Sequence, residues 1–258
     1  MPRPVIGVLL LALALVGAHR PSHASPSDWT IVELVSPGET LGWQVSLDGD
    51  TVAVANSGDD AIASNAGAVW VFQRDQGGPG AWGLVKKITA PGAAYADFFG
   101  SQVALRGDTL VASARYDDDD GEDSGSVFVF ERDQGGSDNW GLVKRISSSD
   151  AGPDCQFGYK LDFDGETLAV TAQDGSDNES SVYLFEPDAG GPDNWGEVKR
   201  IRESDLEVTD LNKSAIDGDT LVIDPAVASP QRMFVLRRDE GGPGNWGKVA
   251  EILEPSDE

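Results

Sequence analysis

Histidine and cysteine are nearly absent: the 258-residue chain holds two His and one Cys. A single Cys excludes an intrachain disulfide framework and any all-cysteine metal cluster. Basic side chains are scarce as well, with 19 Lys and Arg against 44 Asp and Glu and a net charge of −25. Binding a phosphate backbone needs clustered cations, so nucleic acid is excluded as a partner class. Anionic membrane surfaces are disfavoured for the same reason. One apolar run stands out, Val5 to Ala18, and it is shorter than the roughly 20 residues a membrane-spanning helix needs. There is no glycine-rich phosphate loop after a strand and no nucleophile elbow. Against these absences, 40% hydrophobic residues supply enough apolar surface for a folded core, and the chain is not expected to be disordered.

The amino terminus reads as a targeting segment rather than as fold. A basic Met1-Pro2-Arg3-Pro4 precedes the apolar run, and Ser22-His23-Ala24 offers a small-x-small cleavage site. This is the pattern of a secretory signal peptide over residues 1–24. The expected product is a domain over 25–258, secreted, periplasmic or at the cell surface, with no membrane span. Cleavage there removes His19 and His23, both histidines of the chain. Ser-His-Asp triads, Cys-His pairs and His-ligated zinc are then excluded.

The remainder is a fourfold repeat over 41–98, 99–156, 157–210 and 211–258. Trp82, Trp140, Trp195 and Trp246 each follow a Gly-Gly loop and are followed by Gly and, two positions later, Val. A Gly-acid turn recurs at Gly49-Asp50, Gly107-Asp108, Gly165-Glu166 and Gly218-Asp219. Each repeat predicts four strands. In the second these are Phe99–Leu105, Thr109–Ala114, Ser126–Glu131 and Trp140–Ile146, with a tight turn at Arg106-Gly107 and an acidic loop from Tyr116 to Gly125. Turns of this kind between apolar runs are hairpin signals, because the primed turns need positive φ. The second strand is almost continuously apolar, so it lies inside a sheet buried on both faces. The fourth carries Lys86-Lys87, Lys144-Arg145 or Lys199-Arg200, the charge pattern of a protected sheet edge. The expected fold is therefore all-β: a β-propeller-like array of four four-stranded antiparallel blades. Trp29-Thr30-Ile31-Val32 matches the fourth-strand pattern and predicts an extra N-terminal strand, leaving either a closed four-blade ring or an open arc.

Phe99-Gly100 and Phe157-Gly158 open two repeats and Leu41-Gly42 a third, with Gly125-Ser126-Val127-Phe128-Val129-Phe130 as the third strand of the second. In this the chain resembles the FG-GAP repeat family, which builds the N-terminal β-propeller of integrin α chains and many bacterial secreted proteins. The resemblance implies a propeller used for interaction or adhesion. The fourth repeat departs from it, with Leu211-Asn212 in place of Phe-Gly. Integrin-type blades also carry a calcium loop between strands one and two, where this chain has a minimal turn, so those sites do not carry over.

Asp117, Asp119 and Asp123, bent around Gly121, are the candidate metal ligands, because alternate carboxylates can converge on Ca²⁺. Related acids occur at Asp59-Asp60 and over Asp174 to Asn178. No catalytic residues and no other cofactor are assigned. The integrin-binding tripeptide spelled by Arg106-Gly107-Asp108 is accounted for by the hairpin, and the repeated Trp residues by packing. Cys155 reads as an incidental thiol. The expected function is non-enzymatic binding of a protein or a surface glycan through the loops between strands two and three, whose sequences vary most. The alternatives are a carboxylate-based glycoside hydrolase and a partial propeller that completes a larger assembly, for instance as a homo-oligomer.

Overall fold

A computed structural model describes residues 42–173, 179–192, 194–227 and 232–253. The signal-peptide segment 1–24, the strand expected at Trp29–Val32 and the acidic loop 174–178 lie outside the described residues. Sixteen strands fall into four antiparallel sheets, one per repeat, each in simple sequential order. The first holds β1 (Gln44–Asp48), β2 (Thr51–Asn56), β3 (Ala68–Arg74) and β4 (Trp82–Ile88). The second holds β5 (Phe99–Arg106), β6 (Thr109–Ala114), β7 (Ser126–Glu131) and β8 (Gly141–Ile146). The third holds β9 (Lys160–Phe163), β10 (Leu168–Ala172), β11 (Ser181–Glu186) and β12 (Gly196–Arg202). A one-turn helix, α1 (Glu203–Leu206), leads into the fourth: β13 (Thr209–Asp217), β14 (Thr220–Val227), β15 (Arg232–Arg238) and β16 (Trp246–Leu253).

Successive sheets stack face to face, as blades do. One apolar cluster joins sheets one and two, a second joins two and three, and a third joins three and four. β2 and β10 are buried along their whole length, as continuous apolar runs require. β4, β8 and β12 are outer edge strands, as their charges predict.

A β-bulge recurs at the same place in all four sheets and explains the tryptophan motif. The pairing of strand three with strand four slips by one residue at Val85, Val143, Val198 and Val249. A bulge of this kind turns later side chains to the other face. Trp140, Trp195 and Trp246 pack toward the preceding sheet, while Val85, Val143 and Val198 pack toward the following one. One strand thereby feeds two neighbouring cores. Val249 has the same place in sheet four and is 44% exposed.

The two ends of the array differ. On sheet one the face turned away from sheet two carries a buried apolar cluster of Val52, Val54, Trp70 and Phe72, with the Lys87 ammonium 4.6 Å from the Trp70 ring centre. On sheet four the outward face carries Met233 and Ile252, paired across the strands and 37% and 48% exposed. A closed four-blade ring would bury that face, so the array is open at its fourth blade. The degenerate Leu211 is nonetheless fully buried in the place of the Phe, with the strand pairing shifted just after it.

Candidate functional site

The array has a turn end and a loop end, and they are built differently. At the turn end the β1–β2, β5–β6 and β13–β14 hairpins are minimal and are held by neighbouring blades. The Gly107 N–H donates to Asp48 and the Gly218 N–H to Asp164. Arg132 lies on Asp108 at 2.6 Å and reaches back to the Thr51 hydroxyl of the preceding blade. Arg238 binds Glu186 and Thr167 of its preceding blade in the same way. The same arginines sit over the repeated tryptophans, Arg74 over Trp82, Arg132 over Trp140 and Arg238 over Trp246, 5.1 to 5.7 Å from the ring centres. Tryptophan at the start of strand four is thus a packing element, and Asp108 of the Arg106-Gly107-Asp108 tripeptide is engaged within its own blade.

The basic pairs of strand four do more than guard an edge. The first member crosses to the next blade: Lys86 donates to Asn139, Lys144 to Asn194 and Lys199 to Asn245, at 2.7 to 2.9 Å. Each asparagine directly precedes a repeated tryptophan. The second member turns to a carboxylate, buried in the first two blades and half-buried in the third: Lys87 to Asp59 at 2.9 Å, Arg145 to Asp117 at 2.9 Å and Arg200 to Asp150 at 2.8 Å.

That last pattern settles what the acidic loop is built for. Asp117 accepts the Asp119 N–H and Asp118 accepts the Asp123 N–H. In the first repeat Asp59 accepts the Ala61 N–H and Asp60 accepts the Asn65 N–H, with Ala61, Ile62 and Ser64 in place of Asp119, Asp120 and Glu122. Two Asx-type turns therefore shape both loops, and the fold of the loop needs only its first two carboxylates. Asp123 and Asn65 share a left-handed conformation, at φ 51° and 55°, which Asn and Asp tolerate best. Asp117, Asp119 and Asp123 are not brought together as a ligand group, and among the described residues no set of three His, Cys, Asp or Glu is placed to hold a metal. The charge facing them is Arg145, which also contacts Asp120 at 3.0 Å. Burial opposes the Arg145 charge, but the bond to Asp117 and the surrounding aspartates outweigh it and raise its pKa. Partial burial, then the carboxylates of Asp118 and Asp154, push Asp123 upward from its ordinary value. As placed, Asp117 and Asp119 face the Arg145 guanidinium, which a bound cation would have to displace. Calorimetric titration with Ca²⁺ is expected to give no saturable heat. A saturable signal that vanishes in Asp119→Ala overturns this.

Cys155 is fully buried, with its sulfur 3.6 Å from the Ser148 hydroxyl. Burial pushes its thiol pKa up, which makes it a poor nucleophile. It occupies the repeat position of Asp97, whose carboxyl is also raised, first by burial and then by the nearby acids, against the opposing bond from the Ala94 N–H.

The loop end also holds a cleft that sequence reasoning did not single out. It lies between blades one and two, with a volume of about 300 Å³, and Trp43, Gln44, Asn65, Gln102 and Arg115 are among its lining residues. Trp43 is 66% exposed. Arg115, just beyond β6, rests over the Tyr116 ring at 4.5 Å and the Tyr159 ring at 5.8 Å. The legible signal was positional. Trp43, Ser101, Tyr159 and Lys213 hold one repeat position, directly after the Phe-Gly place, and range from aromatic through hydroxyl to cationic. A scaffold position would hold similar residues in every copy.

The sequence profile of the FG-GAP repeat matches residues 35–72, 82–130 and 140–185. No curated protein matches the sequence. A crystal structure of a protein from Lactobacillus plantarum superposes with a TM-score of 0.53 at 17% identity, over 87% of this chain and 59% of that one. The crystal structure of Sqt1 from Chaetomium thermophilum gives a TM-score of 0.47 at 17% identity, over 76% of this chain and 43% of that one. The chain thus spans 59% and 43% of the lengths of these two proteins, and its likeness to the first is one of fold. The repeat profile covers three of the four blades, and its Phe-Gly positions are the buried joints between them: the chain belongs to the FG-GAP repeat family.

Proposed function

We propose that the chain is an exported, non-enzymatic interaction protein that binds a protein or a surface glycan through the loop end of its blades. The observation that carries this reading is the asymmetry of the two ends. At the turn end the hairpins are minimal, and their aspartates and arginines are spent on ties within and between blades. The loop end presents the long connections between strands two and three, an exposed tryptophan and a cleft. A repeat scaffold with one end closed on itself and the other varied is suited to recognition. Export is supported by the basic and apolar pattern of residues 1–24. The cleft is lined by amides, aromatics, the Ser57 and Ser101 hydroxyls and the Arg115 guanidinium, a set suited to hydrogen bonding and stacking. No helix among the described residues is long and apolar enough to cross a membrane.

The test is a glycan microarray together with purified extracellular surface proteins, probed with the chain and with Trp43→Ala. A ligand bound by the chain and weakened in the variant is expected. If nothing on either panel binds, or if the bound saccharide is hydrolysed, the reading fails.

A further inference from the structure

The cleft between blades one and two carries a charge that the rest of the molecule makes conspicuous. Acids outnumber bases 44 to 19, and Arg74, Arg132, Arg145, Arg200 and Arg238 are each matched to a carboxylate. Arg115, Lys160 and Lys213 are different. Among the described residues none of the three lies within salt-bridge distance of a carboxylate, although Asp224 stands opposite Lys213 in the strand pairing. They gather at the loop end, where the inner strands begin. Arg115 and Lys160 share the Tyr159 ring, at 5.8 and 5.0 Å. Lys160 has its pKa lowered, first by burial and then by the like charges of Lys213 and Arg115. Three uncompensated cations repel one another, at a cost that a bound anion would relieve.

The neighbouring groups narrow the anion. Arg115 is steadied by the faces of Tyr116 and Tyr159, and none of the described hydrogen bonds uses its side-chain N–H groups. Those groups lie in the guanidinium plane, so the stacked ring faces leave the fork open to a carboxylate. Beside it, Gln44, Gln102 and Asn65 line the cleft. Amides both donate and accept, as sugar hydroxyls do. Trp43 offers a flat apolar face with its indole largely in water, suited to the C–H face of a pyranose ring. A simple inorganic anion would not use the indole, and a neutral sugar would not use Arg115.

We propose that this cleft binds an acidic saccharide, with one pyranose on Trp43 and the amides and its carboxylate on Arg115. The inference rests on the reading of the chain as a binding protein and narrows its ligand to a uronate-type glycan. The volume of about 300 Å³ stands at the lower end of the range of small-molecule sites, enough for a terminal residue rather than a long chain.

The experiment is calorimetric titration of the purified chain with two probes, a galacturonic acid tetramer and a hyaluronan tetrasaccharide. The methyl-esterified galacturonate and a poly-glutamate peptide serve as controls. At least one acidic saccharide is expected to bind, and to bind about 10- to 100-fold more weakly to Arg115→Ala, the loss of a charge-assisted hydrogen bond. Trp43→Ala is expected to weaken it by about 5-fold. Both side chains are partly or largely exposed, so thermal unfolding of each variant should match the parent. The inference is overturned if neither saccharide binds. It is also overturned if the ester or poly-glutamate binds as well as the acid, or if Arg115→Ala binds equally. Binding of another microarray ligand that survives Arg115→Ala overturns the cleft assignment and leaves the interaction function standing. Silence of every probe and panel removes both.

Discussion

Replacing Phe157 with alanine is expected to lower the unfolding free energy by about 3–5 kcal/mol, the range for a buried aromatic removed from a packed core. Phe157 has no solvent exposure and belongs to the cluster that joins blades two and three. Its ring meets Tyr183 and Phe185 edge-on, at 5.5 and 5.8 Å between centres. Phe99 stands in the same relation to Phe128 and Phe130, at 5.6 and 6.0 Å. The Phe of the Phe-Gly unit thus packs its ring on the third strand of its own blade while its N–H donates to the preceding blade, Phe99 to Ala66 and Phe157 to Ser124, so that it joins the two. In a repeat array stability is a sum of blade and interface terms, so this loss falls on both. Domains are commonly stable by only about 5–15 kcal/mol, and the variant should unfold at much lower urea. Equilibrium denaturation read by tryptophan fluorescence is the measurement, and a loss below about 1 kcal/mol would show that the joint relaxes around the cavity.

Gly125→Ala is expected to cost about 3 kcal/mol or more, from a backbone clash added to conformational strain. Gly125 has φ of 78°, and a Cβ there would stand 2.4 Å from the Phe157 carbonyl oxygen and 2.5 Å from its nitrogen. It would also stand 2.9 Å from the Arg115 carbonyl oxygen. These are backbone atoms of the next blade and of the cleft, with no flexible end to swing aside. Gly67 meets Phe99 in the same way, at 2.1 Å. Gly107 is the control: its φ is 55°, but nothing lies within 4 Å of the added carbon. Gly107→Ala should therefore cost only the left-handed strain, about 1–2 kcal/mol. Equal losses for the two variants, measured by the same denaturation, would show that the close approach of blades is not what selects glycine at 125. Because Gly125 abuts Arg115, its substitution should also weaken binding at the cleft.

How far the sequence could be read depends on the range of the interaction in question. Strand boundaries in the second repeat came within one residue of β5 to β8, because tight turns and continuous apolar strands are signals carried by neighbours in the chain. The edge position of β4, β8 and β12 was legible from their charges. The work those charges do was not. Lys144 is matched to Asn194 and Arg145 to Asp117, each in a different part of the fold. The partner of the acidic loop was hidden for the same reason. Seven residues with six acids look like a cation site until the base that faces them is known, and Arg145 arrives from a strand 28 residues away from Asp117.

The sequence by itself determined the repeat count, the four-strand unit, the inside-outside order of the strands and the placing of both histidines, His19 and His23, ahead of the repeats. These follow from local periodicity, turn chemistry and composition. Tertiary structure alone decided which faces meet, that the bulged valine serves one core and the tryptophan another, and that the fourth blade leaves an open face. It also decided that Trp43, Gln102 and Arg115, from three separate stretches of chain, line one cleft. Side-chain partners across a blade interface are set by stacking geometry, and no spacing along the chain encodes it.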